Sequence, residues 1–141
     1  QSFFDGCRLF VVDDVATSMG TKYELLEKIE AEARLKGLAI HVGGIGIGID
    51  REQTTAVYNE EGNVVLGRKG NSAIEDFVSK SGIGVFSVAG IREVVQHLYE
   101  EGVPVLVRGK RVPIDDGTKS EFDLYMETYG IDGAGGEGHS R

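Results

Sequence analysis

The sequence predicts an α/β fold: a parallel sheet with some antiparallel additions. Two observations carry that prediction. Strand-like and helical patterns alternate along most of the chain, and the first apolar run, Leu9-Phe10-Val11-Val12, is fit for a buried strand whose carboxyl end meets a helix start. In such sheets ligands bind beyond the carboxyl ends of the strands, so the residues at those ends deserve the closest reading.

The elements follow in order. Between Thr21 and Lys36, Leu25, Leu26, Ile29 and Ala33 form one apolar stripe at helical spacing, and Gly37 closes the helix. Glu24 with Lys28 and Glu32 with Lys36 are favourable i,i+4 pairs on its solvent side. Leu38 to Ile49 reads as a strand. Its Gly44-Ile45-Gly46-Ile47-Gly48-Ile49 half sets isoleucines on one face and bare backbone on the other, so a helix or a ligand is expected close to the glycines. Thr54 to Tyr58 and Asn63 to Leu66 are expected to pair as a hairpin. Ser72-Ala73-Ile74-Glu75 matches a capping box and opens a short helix ending near Gly82. Ile83 to Ser87 is a short strand, and Ile91, Val94, Val95, Leu98 and Tyr99 give the clearest helical stripe. A second hairpin is expected over Val103–Val107 and Lys110–Ile114, its basic tip a solvated turn. A second capping-box match, Thr118 with Glu121, leads into a helix with Phe122, Tyr125, Met126 and Tyr129 on one face. Residues 1–131 are thus one domain, and the glycine-rich tail 132–141 is expected to be disordered.

Composition narrows the function classes. A net charge of −8 argues against binding nucleic acid through its phosphates. The single cysteine, Cys7, excludes an intrachain disulfide and favours a reducing compartment. The three histidines are scattered without zinc spacing, and no site for a resident metal is expected. No apolar run reaches membrane-spanning length, so a soluble, cytoplasmic protein without membrane partners is the default expectation. The run Gly43-Gly44-Ile45-Gly46 lacks dinucleotide-fingerprint spacing and falls inside a strand, so it is read as structural.

The chemistry concentrates at Asp13-Asp14-Val15-Ala16-Thr17-Ser18-Met19-Gly20-Thr21. Carboxylates at a strand's end can accept hydrogen bonds from a vicinal diol or sit near a hydrated cation. Free N–H groups at the following helix start, with Thr and Ser hydroxyls, suit a phosphate. A ribose phosphate needs both recognitions side by side.

That stretch resembles the phosphoribosyl-pyrophosphate (PRPP) signature of type I phosphoribosyltransferases: a hydrophobic strand, two acidic residues, small or apolar residues and a Gly-Thr ending. The resemblance implies that Asp13 and Asp14 contact the ribose hydroxyls and that Ala16, Thr17, Ser18, Met19, Gly20 and Thr21 wrap the 5′-phosphate. Met19 is the departure from the pattern, and its side chain must point away from the phosphate for the loop to bind well. Asp50-Arg51-Glu52-Gln53 is similar to the Asp-Arg-Gln-Glu of the orotate branch, with the last two residues exchanged. There the Arg helps hold the acidic pyrimidine, which implies base binding by Arg51; a planar guanidinium suits a carboxylate. Both strand-end pairs are expected to face one cleft.

Receiver domains of two-component signalling also carry paired acids after a first strand, which would make Asp50 a phosphoacceptor. Lys36 to Asp50 leaves room for one strand only, where a receiver needs strand, helix and strand, so that reading is rejected.

The resemblance covers roughly residues 4–100 and implies transfer of ribose 5-phosphate from PRPP to an orotate-like pyrimidine, with Mg²⁺ accompanying PRPP and pyrophosphate released. It looks like the carboxyl-terminal part of such a domain, because the family's pyrophosphate loop and catalytic lid have no candidates here. The sheet is therefore expected to be incomplete, and to be completed by a homodimer partner or a missing amino-terminal half. A non-catalytic module that binds PRPP or a nucleotide is the alternative.

Overall fold

The computed structural model describes residues 3–132, so most of the 132–141 tail lies outside the described residues. Its centre is a parallel sheet of three strands in the order β1-β2-β5, formed by β1 (Cys7–Ala16), β2 (Ile40–Asp50) and β5 (Val85–Gly90). Helix α1 (Gly20–Lys36) joins β1 to β2. The hairpin of β3 (Thr54–Tyr58) and β4 (Val64–Ser72) and then α2 (Ala73–Ser81) lie between β2 and β5. After β5 come α3 (Ile91–Glu100), the small hairpin of β6 (Val105–Val107) and β7 (Lys110–Val112), and α4 (Asp116–Tyr129). The α/β class with a parallel sheet and antiparallel additions is what the sequence predicts. Among the described residues no helix is long and apolar enough to cross a membrane.

One face of the sheet makes the core. Ile45 and Ile47 of β2 pack with Ala16, Met19, Ala73 and Phe77, and Val11, Tyr23, Leu26 and Val85 close around them. Phe77 and Ile45 are completely buried, and the Tyr23 and Phe77 rings meet at 4.8 Å between centroids. This face is covered by α1 and α2.

A bulge in β2 explains how one face collects so many of its branched residues. Leu9 pairs with Val42 but Phe10 pairs with Gly44, leaving Gly43 as the extra residue. Because side chains alternate along a strand, one extra residue switches the parity, so Ile40 and Val42 fall on the same side as Ile45 and Ile47.

The opposite face is bare. Phe10, Val12, Phe86 and Val88 are 58%, 79%, 63% and 87% exposed. The glycine side of β2 is covered by aromatic rings from its two neighbouring strands, not by the helix or ligand expected from sequence. A Cβ on Gly44 would come within 2.8 Å of the Phe10 ring and 3.4 Å of Phe86, and those two rings stack at 6.5 Å. Bare backbone on the central strand lets the flanking rings lean inward over it.

Several local expectations shift. Strand β5 begins at Val85, two residues late, and runs to Gly90, while β4 extends to Ser72 through irregular pairing. Ser72 caps α2 as expected, accepting the Glu75 N–H. The cap of α4 is Asp115, not Thr118: its carboxylate accepts the Thr118 N–H at 2.7 Å, and Thr118 falls inside the helix. A carboxylate caps at least as well as a threonine hydroxyl and also meets the positive end of the helix dipole. Of the predicted α4 face only Met126 is buried, and the α3 stripe is half-buried throughout. Of the two ion pairs predicted on α1, the structure contains Glu32–Lys36.

Candidate functional site

The site is built where β1 and β2 end side by side. The strands are parallel and in register from Ala16 with Asp50, and the Arg51 N–H donates to the Ala16 carbonyl at 3.1 Å. This backbone bond brings the ends of the two motif strands into contact.

Helix α1 then opens under the loop. Its N-cap is Met19, with backbone φ of 62° and no side-chain cap. A left-handed backbone is uncommon for a residue carrying a Cβ, and what holds it here is burial of the side chain, 1% exposed among Ile45, Ile47 and Phe77. Met19 therefore points into the core, away from the loop's outer surface. The departure from the family pattern becomes the loop's anchor.

With no side-chain cap and no acidic residue in the first turn, the α1 amino terminus keeps its positive character. Gly20, Thr21 and Ser18 are exposed around it, Thr17 is half-buried, and Ala16 is fully buried, backbone included, its carbonyl taken by the Arg51 N–H.

The two carboxylates sit differently. Asp14 is exposed, whereas Asp13 is engaged by the ammonium of Lys22, in the first turn of α1. That bond, with the Asp14 N–H donating to Asp13 Oδ1 at 2.9 Å, holds the Asp13 carboxyl below the usual carboxylate range. Lys22 was not singled out from sequence. The available signal was its position, since a lysine in the first turn of a helix opposes the dipole and needs a compensating anion.

Arg51 is exposed and makes no ion pair among the described residues. Its neighbour Asp50 is half-buried; burial raises its carboxyl above the ordinary value, opposed by the Glu52 N–H that donates to it at 2.7 Å. Glu52, with φ of 51°, turns the chain away. Its carboxylate accepts the Arg92 N–H at 2.9 Å, and its carbonyl accepts the Ile131 N–H at 2.8 Å. The Arg92 guanidinium returns to the Ile131 carbonyl at 2.6 Å. The turn that carries Arg51 is thereby tied to the start of α3 and the end of α4. Glu52 and Arg92 were also missed, because their partners lie 40 residues apart in the chain.

A groove of about 790 Å³ lies elsewhere, between α1, the amino end of β2 and the end of α2. It touches none of the strand-end residues. Of the residues set aside from sequence, Cys7 is a buried free thiol and His97 is exposed, and Gly43 to Gly46 lie within β2.

No family model matches the chain. It is 28% identical to orotate phosphoribosyltransferase of Clostridium acetobutylicum over 127 residues, 90% of this chain and 47% of that protein. Orotate phosphoribosyltransferase of Bifidobacterium adolescentis is 26% identical over 133 residues, 89% of this chain and 46% of that one. The chain thus spans about half the length of the curated relatives it matches. Among solved structures, UMP synthase of Leishmania donovani superposes with a TM-score of 0.56 at 15% identity, over 89% of this chain and 20% of that one. Orotate phosphoribosyltransferase of Francisella tularensis gives a TM-score of 0.49 at 18% identity, over 88% of this chain and 47% of that chain. The chain is similar in sequence to orotate phosphoribosyltransferases across nine-tenths of its length, and its fold is the type I phosphoribosyltransferase fold over the part it spans.

Proposed function

We propose that this chain is the part of an orotate-type phosphoribosyltransferase that holds the ribose phosphate. The observation that carries the reading is the meeting of three features at adjacent strand ends: an uncapped helix amino terminus ringed by hydroxyls, an exposed Asp14, and Arg51 hydrogen-bonded to the loop. Residues 17–21 take the 5′-phosphate on backbone N–H groups and the Thr17, Ser18 and Thr21 hydroxyls, while Ala16, expected from sequence to join them, is buried at the end of β1. Asp13 and Asp14 lie on the ribose side, and Arg51 receives the carboxylate of the pyrimidine.

In the reaction, the deprotonated ring nitrogen bonds to C1′ while the C1′–oxygen bond to pyrophosphate breaks, its electron pair leaving with pyrophosphate. The chain's contribution is to fix the sugar phosphate while C1′ moves, and to place a carboxylate near the charge that develops on the ribose. Mg²⁺, which neutralises pyrophosphate when bound, fits as a companion of the substrate. Among the described residues no three metal-ligating side chains are gathered, and Asp13 already faces an ammonium.

The bare sheet face and the match to half of each relative support a second polypeptide segment that covers this face and supplies the remaining catalytic groups. Light scattering with intact-mass measurement tests this point, and a stable, monodisperse 15.2 kDa monomer would sink it. Calorimetric titration with Mg²⁺–PRPP, followed by an orotate turnover assay, tests the function. Absence of binding undoes both readings; binding with product nucleotide once the segment that supplies the remaining catalytic groups is added supports transfer, and binding without turnover even then turns the reading to a regulatory module.

A further inference from the structure

Lys22 is the one buried charged residue among the described residues, at 5% exposure. A buried ammonium costs several kcal/mol unless it is paired and hydrogen-bonded. In the first turn of a helix its charge also opposes the dipole. A residue doubly unfavourable in its place must be held by specific partners, and Lys22 has three. Its Nζ donates to Asp13 Oδ2, to the Val15 carbonyl at 3.2 Å and to the Thr21 hydroxyl at 3.3 Å. These use all three ammonium donors.

The partners lie on both sides of the loop. Asp13 and Val15 belong to the end of β1, and Thr21 to the start of α1. Lys22 thus ties the end of β1 to the start of α1 across residues 16–21, while Gly20 and Ser18 stay exposed.

Resting on the proposed ribose-phosphate site, we infer that Lys22 is a positioning residue that presets the phosphate loop through Asp13 and leaves Asp14 as the carboxylate free for the sugar diol. The two acids of the motif then have different jobs. Asp13 sets the loop's shape, and its loss is felt at the phosphate; Asp14 reads the ribose, and its loss is felt at the sugar. A loop shaped before its ligand arrives spends less of the binding energy on ordering. The lowered carboxyl of Asp13 agrees with a permanently ionised partner for the ammonium.

Two probes separate these roles without turnover: inorganic phosphate, which reports the loop alone, and ribose 5-phosphate without Mg²⁺, which reports loop and diol together. Binding of each to the full chain is followed by amide NMR titration, with thermal unfolding as the check that each variant is folded. Lys22→Met and Asp13→Asn are expected to weaken both probes by the same factor, roughly tenfold for the loss of a charge-assisted hydrogen bond. Asp14→Asn is expected to weaken ribose 5-phosphate only, and Lys22→Arg to restore part of the phosphate affinity. If Lys22→Met does not fold, Asp13→Asn and Lys22→Arg carry the same comparison. Undiminished phosphate binding in Asp13→Asn overturns the inference while leaving the ribose-phosphate site standing. A wild-type chain that binds neither probe overturns the site and the inference together.

Discussion

The two faces of the β1-β2-β5 sheet are made from the same strands and have opposite fates. One buries Ile45 and Ile47 against Met19 and Phe77; the other leaves Phe10, Val12, Phe86 and Val88 in water. Both are apolar, so hydrophobicity does not distinguish them. What differs is whether the chain supplies a cover. The covered face carries the loop anchor Met19, so the geometry of the phosphate loop is set from that face.

The largest test of the contrast is Phe77→Ala. Removing a fully buried ring should cost about 3–5 kcal/mol in urea denaturation, and a loss under about 1 kcal/mol would mean that this face is not the stabilising one. Next comes Gly48→Ala. The added Cβ would sit 2.8 Å from the Asp14 carbonyl, and backbone has little room to give. A cost of about 1–3 kcal/mol is expected, together with weakened ribose 5-phosphate binding as Asp14 is displaced. Ser72→Ala removes the α2 cap and should cost about 1 kcal/mol. It loosens the helix that carries Phe77 without touching the core. On the bare face, Val88→Ser should change the stability of this chain by less than about 0.5 kcal/mol. The same substitution should weaken any assembly that covers the face, as light scattering would read.

A last expected effect concerns pH. The Asp13 carboxyl is lowered in the folded chain by Lys22. Its stabilisation is therefore complete above the unfolded carboxylate value of about 3.9 and is lost as pH falls through the lower folded value. Melting temperatures of wild type and Asp13→Asn should differ by a constant amount from neutral pH down to about 5 and converge in stronger acid. A gap that narrows already between about pH 8 and 6 would contradict the Lys22 pairing.

The contrast also marks how far sequence reading reached. The α/β class, the apolar strand carrying Asp13-Asp14 and the helix start near Thr21 were legible because each rests on local chemistry: an apolar run, paired acids, small hydroxyl residues and a helix start. The strand was expected to end at the two acids, whereas β1 runs on to Ala16 because Val15 and Ala16 still pair with β2, and α1 opens at Gly20. The inward direction of Met19 was legible as a requirement. The role of Lys22 was not, because it depends on a side chain folding back under its own helix to a strand nine residues earlier. The ring cover over Gly44 and Gly46 was missed because it comes from β1 and β5, whose order in the sheet no local pattern states. The α4 start was misplaced because two capping signals three residues apart compete, and the carboxylate won.

The Glu52 carboxylate satisfies the Arg92 N–H, a group that an isolated α3 would leave to water because Gly90 offers no side chain. The first turn of α3 is therefore finished by a residue from the far side of β2. In hydrogen exchange, the Arg92 amide should be slowed along with β2, not with its own helix, and that helix should gain its amino terminus only after the parallel strands have formed. The order of assembly is written into one carboxylate.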